Sequence, residues 1–560
     1  MSKRPPSPIP PLLIAIAFVV AMAVFWMRRD HGEGADADNS AQTPRAARAV
    51  PRPAAPPASA AGRDEEGILK MDTGFPAGAF PEVRGRVGKI ISQRDARPGE
   101  IIIIFKTARA MHEFVARAPS AGAYVIASVG QLFAVRARCL SLDALTDDML
   151  KNARDLELVG GNHLVEIPEP PPADRADRAH HAVGGALLAA IGVNGGADNS
   201  AWGRGVTIAV LDNAVMPDAT FAPDRLRILD IGWGAAPGSG ARRGHGTSVA
   251  ALAAGSAPGA RGVAPMARVL GIRVVDEEGF GDIFTIAKGI ADAVDEGADI
   301  INISLGRRAG DIVTRRAIDY ATEHGAVLVA AAGNEQSTEL SWPAAEPRVI
   351  SVGAVDASGI VARFSNSGPQ LQITAPGVAI DSAGADGGRA PFSGTSASAP
   401  IVAGALAALM SETPGLTAPQ AWEILRTHAG DAGEPGHDPD YGHGVLNLGW
   451  AMARNDTARA DMAVTAHLHD RARRAVTIVV QNRGGFGIAG AVLDTELDGA
   501  SSKQVFPWID PGAVATSTLP LPAGLSAAAA GAILRTTLAL PAGLVDSVPE
   551  NNHRSSRLAP

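Results

Sequence analysis

Residues 299–333 read DIINISLGRRAGDIVTRRAIDYATEHGAVLVAAAG, and the pattern changes twice. DIINISL (299–305) and AVLVAAAG (326–333) are short apolar runs, the composition of strands buried on both faces. Between them, 311–323 has helical spacing. A strand, a helix and a second strand make a βαβ unit, which joins parallel strands. The alternation continues outward through VTIAVLD (206–212), ARVLGIRVV (267–275), RVISVGAV (348–355) and a helical pattern at 283–296. Residues 190–455 are therefore expected to form an α/β domain, a doubly wound parallel sheet covered by helices on both faces. Reactive groups in such sheets gather at the carboxyl ends of strands and the amino ends of helices.

Four side chains occupy such positions. Asp212 ends VTIAVLD. His245 opens a helix in GHGTSVAALAAG (244–255), and Ser396 opens another in FSGTSASAPIVAGALAALM (392–410). Asn334 follows the strand end in AAAGNE (330–335). Each alone also reads as a turn or cap residue. Together they hold the parts of nucleophilic catalysis. A serine hydroxyl needs a base to take its proton. A histidine serves near neutral pH, and a buried carboxylate fixes its tautomer. An amide can donate to a developing oxyanion.

The chain resembles the subtilisin-like serine proteases, the subtilases. The likeness is carried by IAVLD (208–212), GHGTSVAALAAG, GVAP (262–265), INISLG (301–306), AAAGNE, RFSNSGP (363–369), APGVAI (375–380), FSGTSASAPIVAG (392–404) and YGHGVLN (441–447). It implies a doubly wound sheet and peptide-bond hydrolysis. It assigns Ser396 as nucleophile, His245 as base, Asp212 as its orienter and Asn334 as oxyanion donor. It also implies that Ser304, Leu305 and Gly306 pair with substrate backbone, and that small residues such as Ala331 and Gly333 floor the pocket for the residue before the cut. Four residues depart from the family pattern. Asn213-Ala214 stands where Ser or Thr and then Gly follow the Asp, Ser248 replaces a second His, and Ala251 replaces a Gly. No acid, base or nucleophile is lost, so activity is expected, with an altered rim around Asp212.

The flanks read as separate modules. Residues 98–170 have the order β-α-β-β-α-β of a ferredoxin-like unit, which the resemblance makes a prosegment that assists folding, inhibits the site and is cut away between about Pro168 and Asn194. Residues 30–97 are expected to be a disordered Ala/Pro-rich linker. Within residues 1–29, the apolar run 12–27 lies between Lys3-Arg4 and Arg28-Arg29. It is long enough for a membrane anchor; the competing reading is a signal peptide cut after Ala21-Met22-Ala23. Residues 460–560 have short alternating strands broken by Gly, Pro and Asp, expected to form a small β-sandwich. The strand end Asn482-Arg483-Gly484, the turn Asp510-Pro511-Gly512 and the closing PENN (549–552) are similar to CARDB/APHP-type immunoglobulin-like adhesion modules. His467 and His469 alternate on one of these strands and read as a solvated face.

Composition bounds the rest. Hydrophobic residues are 46% of the 560, which excludes wholesale disorder. A net charge of −8 excludes a generally basic nucleic-acid binder. The single cysteine, Cys139, excludes an intrachain disulfide or a cysteine-based metal site. The acidic loop Asp276–Asp282 lacks the ligand spacing of a calcium loop. No metal site is read from the sequence and no cofactor is required; the family resemblance leaves calcium open, with no site for it readable in the sequence. The partners expected are protein or peptide substrates, the chain's own prosegment and a membrane. The leading expectation is an extracytoplasmic serine endopeptidase made as a zymogen. The alternatives are a catalytically weak subtilase scaffold that binds a surface, and an adhesion protein whose protease serves only its own maturation.

Overall fold

The computed structural model describes residues 68–71, 78–169, 181–194, 196–217, 220–232, 242–384, 386–497, 499–521 and 532–558. The apolar run 12–27 and most of the 169–178 linker lie outside the described residues. Among the described residues, no helix is long and apolar enough to cross a membrane.

Seven parallel strands form the central sheet, in the order Ile373–Pro376, Ile350–Val355, Val327–Ala331, Ile300–Ile303, Thr207–Asp212, Arg268–Arg273 and Leu226–Leu229. The inner strands are apolar because both faces are covered, whereas the edge strand Leu226–Leu229 leaves Arg227 and Ile228 exposed. Ile208, Val210, Ile300 and Val329 pack with helices His245–Ala254 and Thr395–Glu412 on one face. Ala209, Leu211, Ile301, Ile303 and Leu328 pack with Ile283–Asp295 and Ile312–Glu323 on the other. Thr395–Glu412 is apolar almost all round, as a helix enclosed by protein must be. From Thr207–Asp212 the chain adds strands first on one side and then on the other. The switch lies between Thr207–Asp212 and Ile300–Ile303, and there the carboxyl ends leave a crevice.

Ahead of this domain, Ala96–Phe105, Ala108–Arg117, Ala123–Val129, Ala134–Cys139, Leu142–Lys151 and Leu156–Glu166 follow in the order β-α-β-β-α-β. Their strands pair antiparallel in the ferredoxin-like order, last, first, third, second. The expected boundary at residue 98 needs correction. Strand Ile68–Lys70 pairs with Leu156–Glu166, and helix Phe80–Ile91 packs Val83, Val87 and Ile90 into the core of this unit. Spacings of four and three between those apolar residues give the helix one buried face, although arginines and glycines around them disguise it. Leu156–Glu166 runs through Gly160-Gly161 without a break.

Seven antiparallel strands follow the doubly wound domain in two sheets, three strands in one and four in the other. Val476, Ile478 and Val480 of one sheet meet Leu493, Leu534 and Leu538 of the other, the arrangement of a β-sandwich. His467 does not lie on a solvated face. It sits between the sheets, with its ring nitrogens 2.9 Å from Ser556 Oγ and 2.9 Å from Thr536 Oγ1.

Candidate active site

Asp212 closes its strand at the crevice, and its side chain is fully buried. The Asn213 N–H donates to Asp212 Oδ1 at 2.8 Å. His245 is the first residue of helix His245–Ala254, and Gly244 before it takes φ +88, a conformation glycine reaches without strain. His245 Nδ1 lies 2.8 Å from Asp212 Oδ1 and 3.0 Å from Oδ2. The Phe392 ring meets the His245 ring edge-on, with centroids 5.2 Å apart.

Ser396 stands in the first turn of Thr395–Glu412 and is 2% exposed. Gly394, the residue that caps this helix, has φ +126, and a Cβ there would lie 3.1 Å from Asn334 Nδ2. Only glycine therefore brings the Ser396 turn this close to Asn334. The Asn334 amide is held in one orientation: its Oδ1 accepts the Thr395 N–H at 2.9 Å and the Thr395 hydroxyl at 3.0 Å. Its Nδ2 is thereby left facing the site. His245, Ser396 and Asn334 line one cavity of about 260 Å³, together with Arg242, Arg243, Phe392 and Pro168. The Ser396 hydroxyl donates to the Ser304 carbonyl at 3.3 Å and not to His245. Such catalytic hydrogen bonds often close only when substrate is bound.

A segment of the chain itself crosses this site. Glu166 and Gly306 exchange both backbone hydrogen bonds, at 3.2 and 3.0 Å. On its other edge the segment pairs with Phe280–Asp282, and the Ile167 N–H donates to the Gly279 carbonyl at 2.9 Å. Val165 and Ile167 are buried in the same apolar cluster as Leu305. Two residues on, the Glu169 carbonyl accepts from Asn334 Nδ2 at 3.4 Å. A peptide carbonyl thus already stands before the amide expected to receive an oxyanion.

Not every expected substrate contact is made. Gly306 pairs with the crossing segment. Ser304 is buried and donates from Oγ to the Ser396 carbonyl at 3.3 Å, bracing the turn that carries Ser396. Leu305 and Ala331 belong to the core. A Cβ on Gly333 would fall 2.2 Å from Asn366 Nδ2. Neither Ala331 nor Gly333 lines the 260 Å³ cavity. The acidic loop is used structurally: Asp276 Oδ1 accepts from the N–H groups of Glu278 and Phe280, and Asp282 caps helix Ile283–Asp295. Sequence reasoning missed Thr395 as the clamp on Asn334 and Phe392 as the wall against His245. It flagged Asn213 as a departure without seeing its use. Asn213 Oδ1 accepts the Gly246 N–H at 2.8 Å, and its Nδ2 donates to the Arg242 carbonyl at 2.5 Å. The residue pins the start of the His245 helix to the end of the Asp212 strand.

Residues 203–444 match the subtilase family. Over 254 residues the chain is 35% identical to the thermostable alkaline protease of Halalkalibacterium halodurans, a match covering 45% of this chain and 68% of that protein. The chain belongs to the subtilase family. To subtilisin E of Bacillus subtilis it is 34% identical over 261 residues, 44% of this chain and 65% of the relative. The chain thus spans about two thirds of the length of these relatives. Among solved structures it is similar to fervidolysin from Fervidobacterium pennivorans, with a TM-score of 0.53 and 22% identity over 83% of this chain and 77% of that one. That likeness extends the shared fold beyond the catalytic domain.

Proposed function

We propose that this subtilase is a serine endopeptidase in which Ser396 attacks the scissile carbonyl, His245 takes its proton and Asp212 holds the imidazole. The observation that carries the reading is His245 Nδ1 at 2.8 Å from a fully buried Asp212, on a cavity shared with Ser396 and Asn334. The carboxylate keeps the Nδ1 proton in place, so Nε2 is the nitrogen free to accept. Attack by Ser396 Oγ forms a tetrahedral adduct whose oxyanion Asn334 Nδ2 would receive. Nε2 then returns the proton to the leaving nitrogen, and water repeats the sequence on the acyl-enzyme. Substrate backbone would lie along Ser304–Gly306, the edge where the chain's own segment pairs.

The reading includes latency. Residues 68–169 would act as a prosegment whose tail fills the site in the manner of a substrate, and this is supported by the Glu166–Gly306 pairing and the position of the Glu169 carbonyl. Placement outside the cytoplasm, by an anchor or after a signal peptide at residues 12–27, rests on the sequence alone. The bridge that Asn213 makes argues against a scaffold silenced by the change beside Asp212.

Self-processing tests the assignment. Residues 64–560 are expressed as wild type and as Ser396→Ala, and amino termini are read on the products. Wild type is expected to give a new terminus beyond Glu169 while Ser396→Ala stays intact. The loss of turnover should be on the order of 10⁶ in kcat, a figure taken from subtilisin itself and not from this geometry. Near-wild-type turnover in Ser396→Ala would overturn the assignment.

A further inference from the structure

Away from the active site, the doubly wound domain and the β-sandwich share a cavity of about 450 Å³, a volume suited to a small ligand. Its charged lining is Arg459, Arg483, Arg554, Asp431, Asp461 and Glu550. Arg459 and Asp461 form an ion pair with each other, and Glu550 is exposed. Two arginines and one carboxylate are left to account for.

Arg483 engages its Nε, which donates to Gln481 Oε1 at 3.0 Å. The backbone makes room for the rest of the guanidinium: a Cβ on Gly430 would fall 2.4 Å from Arg483 Nη2. Gly430 and Val445 exchange backbone hydrogen bonds at 2.8 and 2.9 Å, and both line the cavity. Arg483 Nη2 therefore lies at the cavity wall. Arg554 stands on strand His553–Arg557. Among the described residues its guanidinium makes no hydrogen bond and no ion pair. Asp356 attracts it from a distance, and that carboxylate accepts the His181, Ser358 and Ile360 N–H groups. Burial pushes the pKa of both guanidinium groups below the ordinary arginine value. For Arg483, attraction from Asp461 and Asp431 works against this, and repulsion from Arg459 and Arg554 adds to it. The two arginines are thus close enough to repel, and short of partners. Asp431 Oδ2 accepts the Gly436 N–H at 2.9 Å, and its Oδ1 has no partner. Burial raises this carboxyl to about 6, so it holds its charge less firmly than an ordinary aspartate.

Two guanidinium groups beside one weakened carboxylate give the cavity an excess of positive charge and of N–H donors. Charge taken out of water is stable only when it is paired and hydrogen-bonded. A guanidinium presents N–H groups in a planar fork that matches two oxygens of a carboxylate or a phosphate. We propose that this cavity binds a small oxyanion, a carboxylate or a phosphate, between Arg483 and Arg554. Both arginines belong to the sandwich, and Gly430 and Val445 belong to the doubly wound domain. An anion that neutralises the arginines makes their burial against that wall more favourable, so binding stabilises the folded chain.

The test uses the full chain as Ser396→Ala in a chloride buffer free of other anions. Inorganic phosphate and citrate are titrated separately by calorimetry at constant ionic strength, which keeps general screening the same throughout. Saturable binding of at least one is expected, with a rise in Tm at saturation, and the one that binds tells phosphate from carboxylate. Arg483→Gln and Arg554→Gln should each weaken binding tenfold or more. Asp431→Asn can still accept the Gly436 N–H but carries no charge, so it should bind the anion more tightly than the parent. That gain can be read even where an arginine variant fails to fold. Arg535→Gln, which alters an exposed arginine of the same sheet, should leave binding unchanged. The proposal is overturned where neither anion binds saturably, where Arg483→Gln and Arg554→Gln bind as the parent does, or where Arg535→Gln weakens binding as much as they do.

Discussion

Asn213 shows how one residue can look like a defect in the sequence and act as a fastener in the fold. Its side chain is buried and satisfies two backbone groups on the far side of the crevice, the Gly246 N–H and the Arg242 carbonyl. These flank His245, so the amide sets how the imidazole meets Asp212. Asn213→Ala would leave the Gly246 N–H unpaired, at a cost of about 1–3 kcal/mol, while the Arg242 carbonyl would keep the His245 N–H at 3.0 Å. The expected result is a fall in unfolding free energy of about 2 kcal/mol, read by denaturant titration in the Ser396→Ala background. In the active enzyme kcat should drop with KM little changed, because His245 is displaced and the substrate edge at Gly306 is not. An unchanged kcat would separate Asn213 from the placement of His245. The placement of Asp212, His245 and Ser396 was legible because each sits at a strand end or helix start marked by its own short motif. The partners of Asn213 were not, because Gly246 lies 33 residues away and only the fold brings it near.

At the scale of elements, strand Leu156–Glu166 runs from the ferredoxin-like unit to the active-site crevice. It is an inner strand of that unit's sheet, and its far end pairs with Phe280–Asp282. Its continuation then pairs with Gly306 and delivers the Glu169 carbonyl to Asn334. Val165 and Ile167, each 3% exposed, anchor this tail. Ile167→Asp would place an unpaired charge in an apolar seat, a cost of several kcal/mol. At about 1.4 kcal/mol per tenfold, the tail should release on the order of a hundredfold more readily. The unprocessed variant is expected to cleave a small chromogenic peptide faster than unprocessed wild type; equal latency in both would show that the tail does not hold the site closed. The apolar run within 156–168 made the strand readable, and the six-element order of the ferredoxin-like unit followed from periodicity. What stayed hidden was partnership. Pairing between residues 166 and 306 carries no local signature, and the helix Phe80–Ile91 was lost among arginines although Val83, Val87 and Ile90 keep helical spacing.

Across the whole molecule, the chain reads as modules in sequence but shares interior groups between them once folded. The doubly wound sheet was legible because its inner strands are apolar, as burial on both faces requires, while the half-exposed edge strand Leu226–Leu229 gave no such signal. The sandwich was legible from short alternating strands. The interior polar groups were not, since exposed and buried histidines look alike in a sequence, and His467 is the clearest case. Burial, helped by the Arg554 charge, lowers its pKa from 6.5 to about 4, and it bridges Ser556 and Thr536 of the opposite sheet. Its folded pKa lies below its unfolded value, so the unfolded chain takes up this proton first as pH falls. The stability due to neutral His467 is fully present above pH 6.5. It declines between pH 6.5 and 4 and is lost below about 4. Two and a half pH units at about 1.4 kcal/mol each make this on the order of 3 kcal/mol. His467→Gln keeps hydrogen-bonding groups but cannot titrate. In the Ser396→Ala background, the difference in unfolding free energy between the chain that keeps His467 and the His467→Gln variant should change across that window and be level on either side. Other titrating groups cancel in this difference. A difference that is level throughout would mean that His467 keeps an ordinary affinity for protons, with water reaching it between the sheets.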